Sequence, residues 1–114
     1  LTNYISSEDK KSDDRILLVG SGDLLEMLTR YIIISEKYNS QPIGIISTES
    51  GLKNRRIHDI PIIGEIKDFK SISEKENITN VISTFQKEDP ILKDLSQICA
   101  NFNISFQTIF LKFK

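Results

Sequence analysis

The residues best suited to chemistry form one short run, Gly20-Ser21-Gly22-Asp23-Leu24-Leu25, which follows the apolar stretch Ile16-Leu17-Leu18-Val19 directly. A glycine bend between a strand and a helix is the context in which a backbone cradles a phosphate. Gly20 permits the tight turn and Gly22 lets the main chain approach a pyrophosphate. The free N–H groups from Ser21 to Leu24, where the helix opens, then meet the anion. Two positions depart from a dinucleotide fingerprint. Leu25 stands where a third glycine would let the helix pack closely on its strand. Ser47 and Thr48 stand at the end of the second strand, where an acidic residue would hold a ribose hydroxyl. Glu49 follows them and is expected to reach inward only if its loop rearranges. Asp23 supports a second reading, since a carboxylate here can cap the helix itself and repel phosphate, leaving the turn purely structural.

Lys53-Asn54-Arg55-Arg56 is the one basic cluster. Arg55 and Arg56 can pair with a phosphate bidentately if the loop folds over the turn, and with Ser47 and Thr48 they outline a pocket for a 2′-phosphate. The plainer alternative is a solvated loop whose charge Glu49, Asp59 and Glu65 offset. Thr84, at the end of a later strand, is expected beside the glycine turn and completes the candidate set. His58 has no nucleophile or metal partner placed by the sequence and reads as a turn residue. Cys99 falls on an apolar helical stripe, where a small buried thiol is expected. Lys87-Glu88-Asp89 borders the crevice or simply precedes a helix. No Tyr-x-x-x-Lys pair follows the turn, so the base of a short-chain dehydrogenase is missing and no catalytic residue is assigned. One Cys and one His in 114 residues exclude an internal disulfide and a Cys/His metal cluster.

These residues need elements to position them. Ile16-Leu17-Leu18-Val19 reads as a strand buried on both faces. A helix follows over 23–37, with Leu24, Leu25, Met27, Leu28, Tyr31, Ile32 and Ile34 on its apolar half. Glu26, Thr29 and Arg30 share the polar half with Ile33. Ile43 to Ile46 is a second strand, 57–63 a short extended stretch, 65–76 a second helix and 81–85 a third strong strand. Asp89-Pro90 opens a third helix, and 104–108 is the last strand. Alternation of this kind predicts an α/β fold: one three-layer Rossmann-like domain with a parallel sheet of about five strands, order 3-2-1-4-5, and helices on both faces. Residues 1–14 read as a polar leader, 15–109 as the nucleotide-binding-type domain and 110–114 as a tail. The chain is read as a piece of a longer protein. With 39% apolar and 27% charged residues the composition is that of an ordinary globular domain, and a net charge of −1 argues against a general nucleic-acid binder. Its longest apolar runs fall short of the roughly 20 residues of a membrane helix, so direct membrane insertion is not expected.

Four segments in order resemble one family. Arg15 to Gly22 is similar to the opening strand and turn of the Rossmann-like, CoA-binding-type domain of polysaccharide-biosynthesis proteins. Pro42-Ile43-Gly44-Ile45-Ile46 resembles its second strand. Lys53 to Gly64, with Arg55-Arg56-Ile57-His58-Asp59-Ile60-Pro61-Ile62-Ile63-Gly64, resembles its most distinctive stretch, and Ile78 to Thr84 its fourth strand. The resemblance implies a domain of a membrane-bound nucleotide-sugar 4,6-dehydratase or epimerase, or of a polyprenyl glycosylphosphotransferase, on the cytoplasmic side of the membrane. It implies a non-catalytic binding or regulatory role for a nucleotide, UDP-sugar or NAD(P), beside a catalytic domain of the same parent and with homodimerisation. The alternatives are a stand-alone NAD(P)- or nucleotide-sugar-dependent oxidoreductase or epimerase fragment, and an NAD(H)-sensing module.

Overall fold

A computed structural model describes residues 14–35, 38, 41–85 and 89–109. The leader up to residue 13 and the tail from 110 lie outside the described residues, as do Lys87 and Glu88.

The chain forms β1 (Ile16–Gly20), α1 (Gly22–Ile34), β2 (Pro42–Ser47), β3 (Arg56–Ile57) and β4 (Ile60–Glu65). After a 3₁₀ turn (Ile66–Asp68) come α2 (Phe69–Lys75), β5 (Asn80–Ser83), α3 (Pro90–Asn101) and β6 (Ser105–Thr108). The sheet order is β3-β4-β2-β1-β5-β6. All neighbours are parallel except β3 and β4. The five parallel strands thus take the expected order. The expected single stretch 57–63 instead divides into a hairpin. His58 and Asp59 turn it with φ of 50° and 70°, the left-handed pair that a two-residue hairpin needs, supplied here without glycine.

Strand alternation splits the core in two. Ile16, Leu18, Ile45, Ile62 and Ile82 face α1, meeting Leu25, Leu28 and Ile32. Leu17, Val19, Ile46 and Val81 face α2 and α3, meeting Phe69, Leu95 and Cys99. All five residues of β1 are buried, as befits a central strand covered on both faces. Gly44 is a close-approach point, since an added Cβ would come within 2.7–3.0 Å of the Ile63 side chain. Gly44→Ala is therefore expected to cost about 1–3 kcal/mol by overpacking, read as a lower denaturant midpoint with an unchanged slope.

α1 departs from its expected register. Thr29, placed on the polar half, is fully buried, and its hydroxyl donates to the Leu25 carbonyl at 2.8 Å. A hydroxyl satisfied within its own helix can enter the core without an unpaired polar atom. The buried arc consequently turns toward Thr29 and Ile33. Ile33 packs on the core edge, while Ile34 is 72% exposed. The helix at 65–76 is also shorter than expected. Glu65 accepts from the Asp68 N–H and the Asp68 carboxylate accepts from the Glu65 N–H, which together hold the 3₁₀ turn open ahead of α2. At α3 the Asp89 carboxylate accepts the Ile91 N–H at 3.0 Å, with Pro90 in the first turn as expected.

Burial pushes the Cys99 thiol up to about 11. The folded state holds this proton more tightly than the unfolded chain, where a thiol titrates near 8.5. The stabilisation is complete below about pH 8.5 and is lost as pH rises toward 11. Cys99→Ala is expected to remove that alkaline fall from the stability profile. At about pH 8, a thiol reagent is expected to label Cys99 only as fast as the protein unfolds.

Candidate functional site

Parallel strands β1, β2, β4 and β5 all deliver their carboxyl ends to one crest, and the glycine turn lies at its middle. Gly20 pairs with Ser47 on one side of β1, and Val19 with Ser83 on the other. The Thr48 N–H donates to the Gly20 carbonyl at 3.0 Å, and the Thr84 N–H to the Val19 carbonyl at 3.3 Å. These bonds carry the sheet pattern one residue past the strands and hold the turn between two fixed walls. The connection from β1 leaves over one face and the chain returns to β5 over the other, so the crevice between them is a topological switch point.

Ser21 is extended, with φ −158° and ψ 161°, and stands at the N-cap position of α1. Its side chain makes no capping hydrogen bond. Asp23 is exposed and is not the cap that the structural reading of the turn assigned to it. The first bond closing the helix runs from the Leu25 N–H to the Ser21 carbonyl at 3.1 Å. The N–H groups of Gly22, Asp23 and Leu24 precede it and open toward the crest. Gly22 has φ +59°, a conformation that costs a residue with Cβ about 1–2 kcal/mol. At Gly20 a Cβ would sit in van der Waals contact with the Thr84 carbonyl oxygen at 3.4 Å and the Leu25 Cδ1 at 3.5 Å. Leu25, standing where a third glycine was expected, fills the core beneath the turn.

Glu49 was expected to need loop rearrangement, and the structure corrects this. Its carboxylate already lies beside the turn, 3.9 Å from where a Cβ on Gly22 would be. Ser47 explains the placement. Buried at the end of β2, it accepts the Glu49 N–H at 3.0 Å through its Oγ, bending the chain back toward the turn. The Ser47 hydroxyl therefore shapes the loop instead of facing a ligand, and the acidic group follows two residues later. Gly51 extends the same loop, its N–H donating to Glu65 Oε2 at 3.3 Å. Thr84, 2% exposed, has a buried hydroxyl with no hydrogen-bond partner among the described residues.

Gly20, Ser21, Gly22, Asp23, Leu24, Ser47, Thr48 and Thr84 therefore gather at the crest, and Arg55 and Arg56 do not. Arg56 pairs with Pro61 on the outermost strand, three strand spacings from β1, or about 14 Å, and several residues back from the crest. Its guanidinium donates to the Asp59 carbonyl at 2.8 Å, while the Arg55 carbonyl accepts the Ile62 N–H at 2.7 Å. Lys53 borders a groove of about 370 Å³ with Asp68 and Lys75, on the α2 side. His58 joins the hairpin turn to α1, its Nε2 lying 2.6 Å from Glu26 Oε2. No group of three or more His, Cys, Asp or Glu among the described residues is placed to hold a metal ion. No described helix is long and apolar enough to cross a membrane.

No protein-family model matches the chain, and no curated protein matches it. Solved structures do. RSP, a Rex-family repressor, matches with a TM-score of 0.73 at 15% identity, over 99% of this chain and 53% of that one. The chain thus spans about half the length of RSP. RSP in complex with β-NADH matches at 0.70 and 16%, over 99% of this chain and 55% of that one. Its complex with β-NAD⁺ and operator DNA gives 0.72 and 15%, over 99% and 51%. UDP-D-quinovosamine 4-dehydrogenase from Vibrio fischeri matches at 0.64 and 16%, over 84% of this chain and 78% of that one. The fold is Rossmann-like. One neighbour is solved with DNA, so the near-neutral charge of this chain does not exclude nucleic acid as a partner of a protein built on the fold.

Proposed function

We propose that the chain is a non-catalytic, nucleotide-binding module whose ligand is NAD(H), seated with its pyrophosphate on the glycine turn. The observation that carries this reading is the start of α1: an uncapped helix end, at the carboxyl end of the central parallel strand, with Gly22 in a conformation that bares its N–H groups. Glu49 fits the group as well. A carboxylate beside the turn accepts hydrogen bonds from a ribose diol and repels a 2′-phosphate, which selects NAD(H) over NADP(H). The lone buried hydroxyl of Thr84 adds a polar group on the β5 side. The fold of RSP, solved with β-NADH, supports the choice of ligand. A UDP-sugar offers the same diphosphate and ribose, and the fold of the quinovosamine dehydrogenase makes it the competitor to include.

The role is binding or regulation, exerted on other parts of a longer protein. The finer assignment, a membrane-associated nucleotide-sugar dehydratase or epimerase with this domain on the cytoplasmic side, is supported by the sequence resemblance of the strand and turn segments.

Isothermal titration with NADH, NADPH, ADP-ribose and UDP-N-acetylglucosamine tests the reading. The expected result is saturable binding of NADH and ADP-ribose, with NADPH at least about 10-fold weaker, a difference of about 1.4 kcal/mol. Glu49→Gln is expected to narrow that gap by weakening NADH and relieving the repulsion of NADPH. No saturable binding of any of the four at millimolar concentration overturns it.

A further inference from the structure

Ser47 and Glu65 are register partners at the carboxyl ends of β2 and β4. Both turn a side-chain oxygen to the loop that follows β2. Ser47, with no exposed surface, accepts the Glu49 N–H through Oγ at 3.0 Å. Glu65 Oε2 accepts the Gly51 N–H at 3.3 Å. The Thr48 N–H is taken by the Gly20 carbonyl at 3.0 Å. Three of the four N–H groups from Thr48 to Gly51 are thus held, by acceptors on the neighbouring strands β4, β2 and β1.

The acceptors are themselves fixed. Gly20 and Ser47 are paired in the sheet. The Glu65 side chain is held from its other side, because it also accepts the Asp68 N–H while the Asp68 carboxylate accepts the Glu65 N–H at 3.1 Å. A carboxylate locked in such a reciprocal pair gives up little further freedom when it takes the Gly51 N–H. Gly51 bends the loop with φ +83° in open space, so the bond to Glu65, and not packing, fixes its far end. Among these held residues stands the Glu49 carboxylate, 3.9 Å from where a Cβ on Gly22 would lie. A loop free to sample other forms would offer that carboxylate only part of the time, and the apparent affinity of a ligand falls with the competent fraction.

We propose, resting on the nucleotide reading above, that Ser47 and Glu65 are positioning residues for the choice of dinucleotide. They touch no ligand; they lock residues 48–51 in the form that presents Glu49 to the ribose. With the lock in place, the diol of NAD(H) finds its acceptor preformed and the 2′-phosphate of NADP(H) meets a fixed negative charge. Without it the carboxylate swings away, which weakens the first ligand and admits the second.

Isothermal titration of the whole chain with NADH and NADPH tests this on Ser47→Ala and Glu65→Ala, each alone and combined with Glu49→Gln. Each single variant is expected to bind NADH about 3- to 10-fold more weakly and NADPH no more weakly than the unaltered chain does. General damage to the fold would weaken both. Glu65→Gln, which keeps an oxygen for the Gly51 N–H, is expected to restore most of the preference. Added to Glu49→Gln, either anchor substitution is expected to change the ratio of the two affinities by less than about 2-fold, because the anchors act only through that carboxylate. Without ligand, amide hydrogen exchange is expected to quicken at Glu49 in Ser47→Ala and at Gly51 in Glu65→Ala. Equal weakening of the two dinucleotides, additive effects with Glu49→Gln, or exchange unchanged by either substitution would overturn the proposal and leave the nucleotide reading standing. Failure of the unaltered chain to bind NADH would overturn both, whatever the exchange rates.

Discussion

Gly22→Val is expected to lower NADH affinity by about 10- to 100-fold while the chain stays folded. Two effects act together. The left-handed backbone at Gly22 costs a β-branched residue at least about 1–2 kcal/mol, so the turn relaxes away from the geometry that bares its N–H groups. The branched side chain also covers the path of a phosphate, and each charge-assisted hydrogen bond lost is worth about 1.5–3 kcal/mol. Thermal denaturation separates the two, since strain appears without ligand and the lost bonds only in the ligand-induced stabilisation. Asp23→Asn should act in the opposite direction. The exposed Asp23 carboxylate opens the same helix, and its removal is expected to tighten NADH a few-fold. The favourable helix-end charge given up costs about 0.3–1 kcal/mol of stability.

The largest effect on stability is expected at Leu28, which has no exposed surface and holds α1 on its face of the sheet. Leu28→Ala should cost about 2–5 kcal/mol through lost burial and the cavity it leaves, a large fraction of the 5–15 kcal/mol typical of a domain. Thr29→Val, one position on and equally buried, removes a hydroxyl already satisfied within the helix. Its cost is expected to stay within about 0.5–1.5 kcal/mol, the net worth of that one hydrogen bond. Chemical denaturation of the two variants decides whether α1 is held by apolar packing, as the core implies. A loss at Thr29→Val equal to that at Leu28→Ala would mean that the hydroxyl holds more than its own helix.

The parallel order of the sheet was readable because the core strands are short apolar runs and three of the four parallel crossovers carry a helix with its own apolar stripe. The glycine turn was readable for a similar reason, since its residues are contiguous. Three features were hidden, each for a physical reason. The hairpin at His58 and Asp59 uses two positive-φ residues that carry none of the glycine signal such a turn usually shows. The rotation of α1 depends on a hydroxyl bonded to its own helix, so Thr29 reads as polar in a helical projection although nothing on it is left unpaired. Glu49 depends on a single side-chain bond, from its N–H to Ser47 Oγ, which bends the end of β2 toward the turn. A polar Ser at the expected acidic position, followed closely by a Glu, was the available signal. Arg55 and Arg56 erred the other way. Their chemistry suits a phosphate, but the hairpin commits them to the sheet edge, and only the pairing of β3 with β4 reveals that.

Backbone amide shifts mapped during an NADH titration show where on the chain the dinucleotide sits. Saturable changes are expected at Gly20, Gly22, Asp23, Leu24, Thr48, Glu49 and Thr84, with Arg56 and Ser73 unaffected. Saturable changes confined to the edge hairpin or to Ser73, with the glycine turn silent, would contradict a dinucleotide seated on that turn.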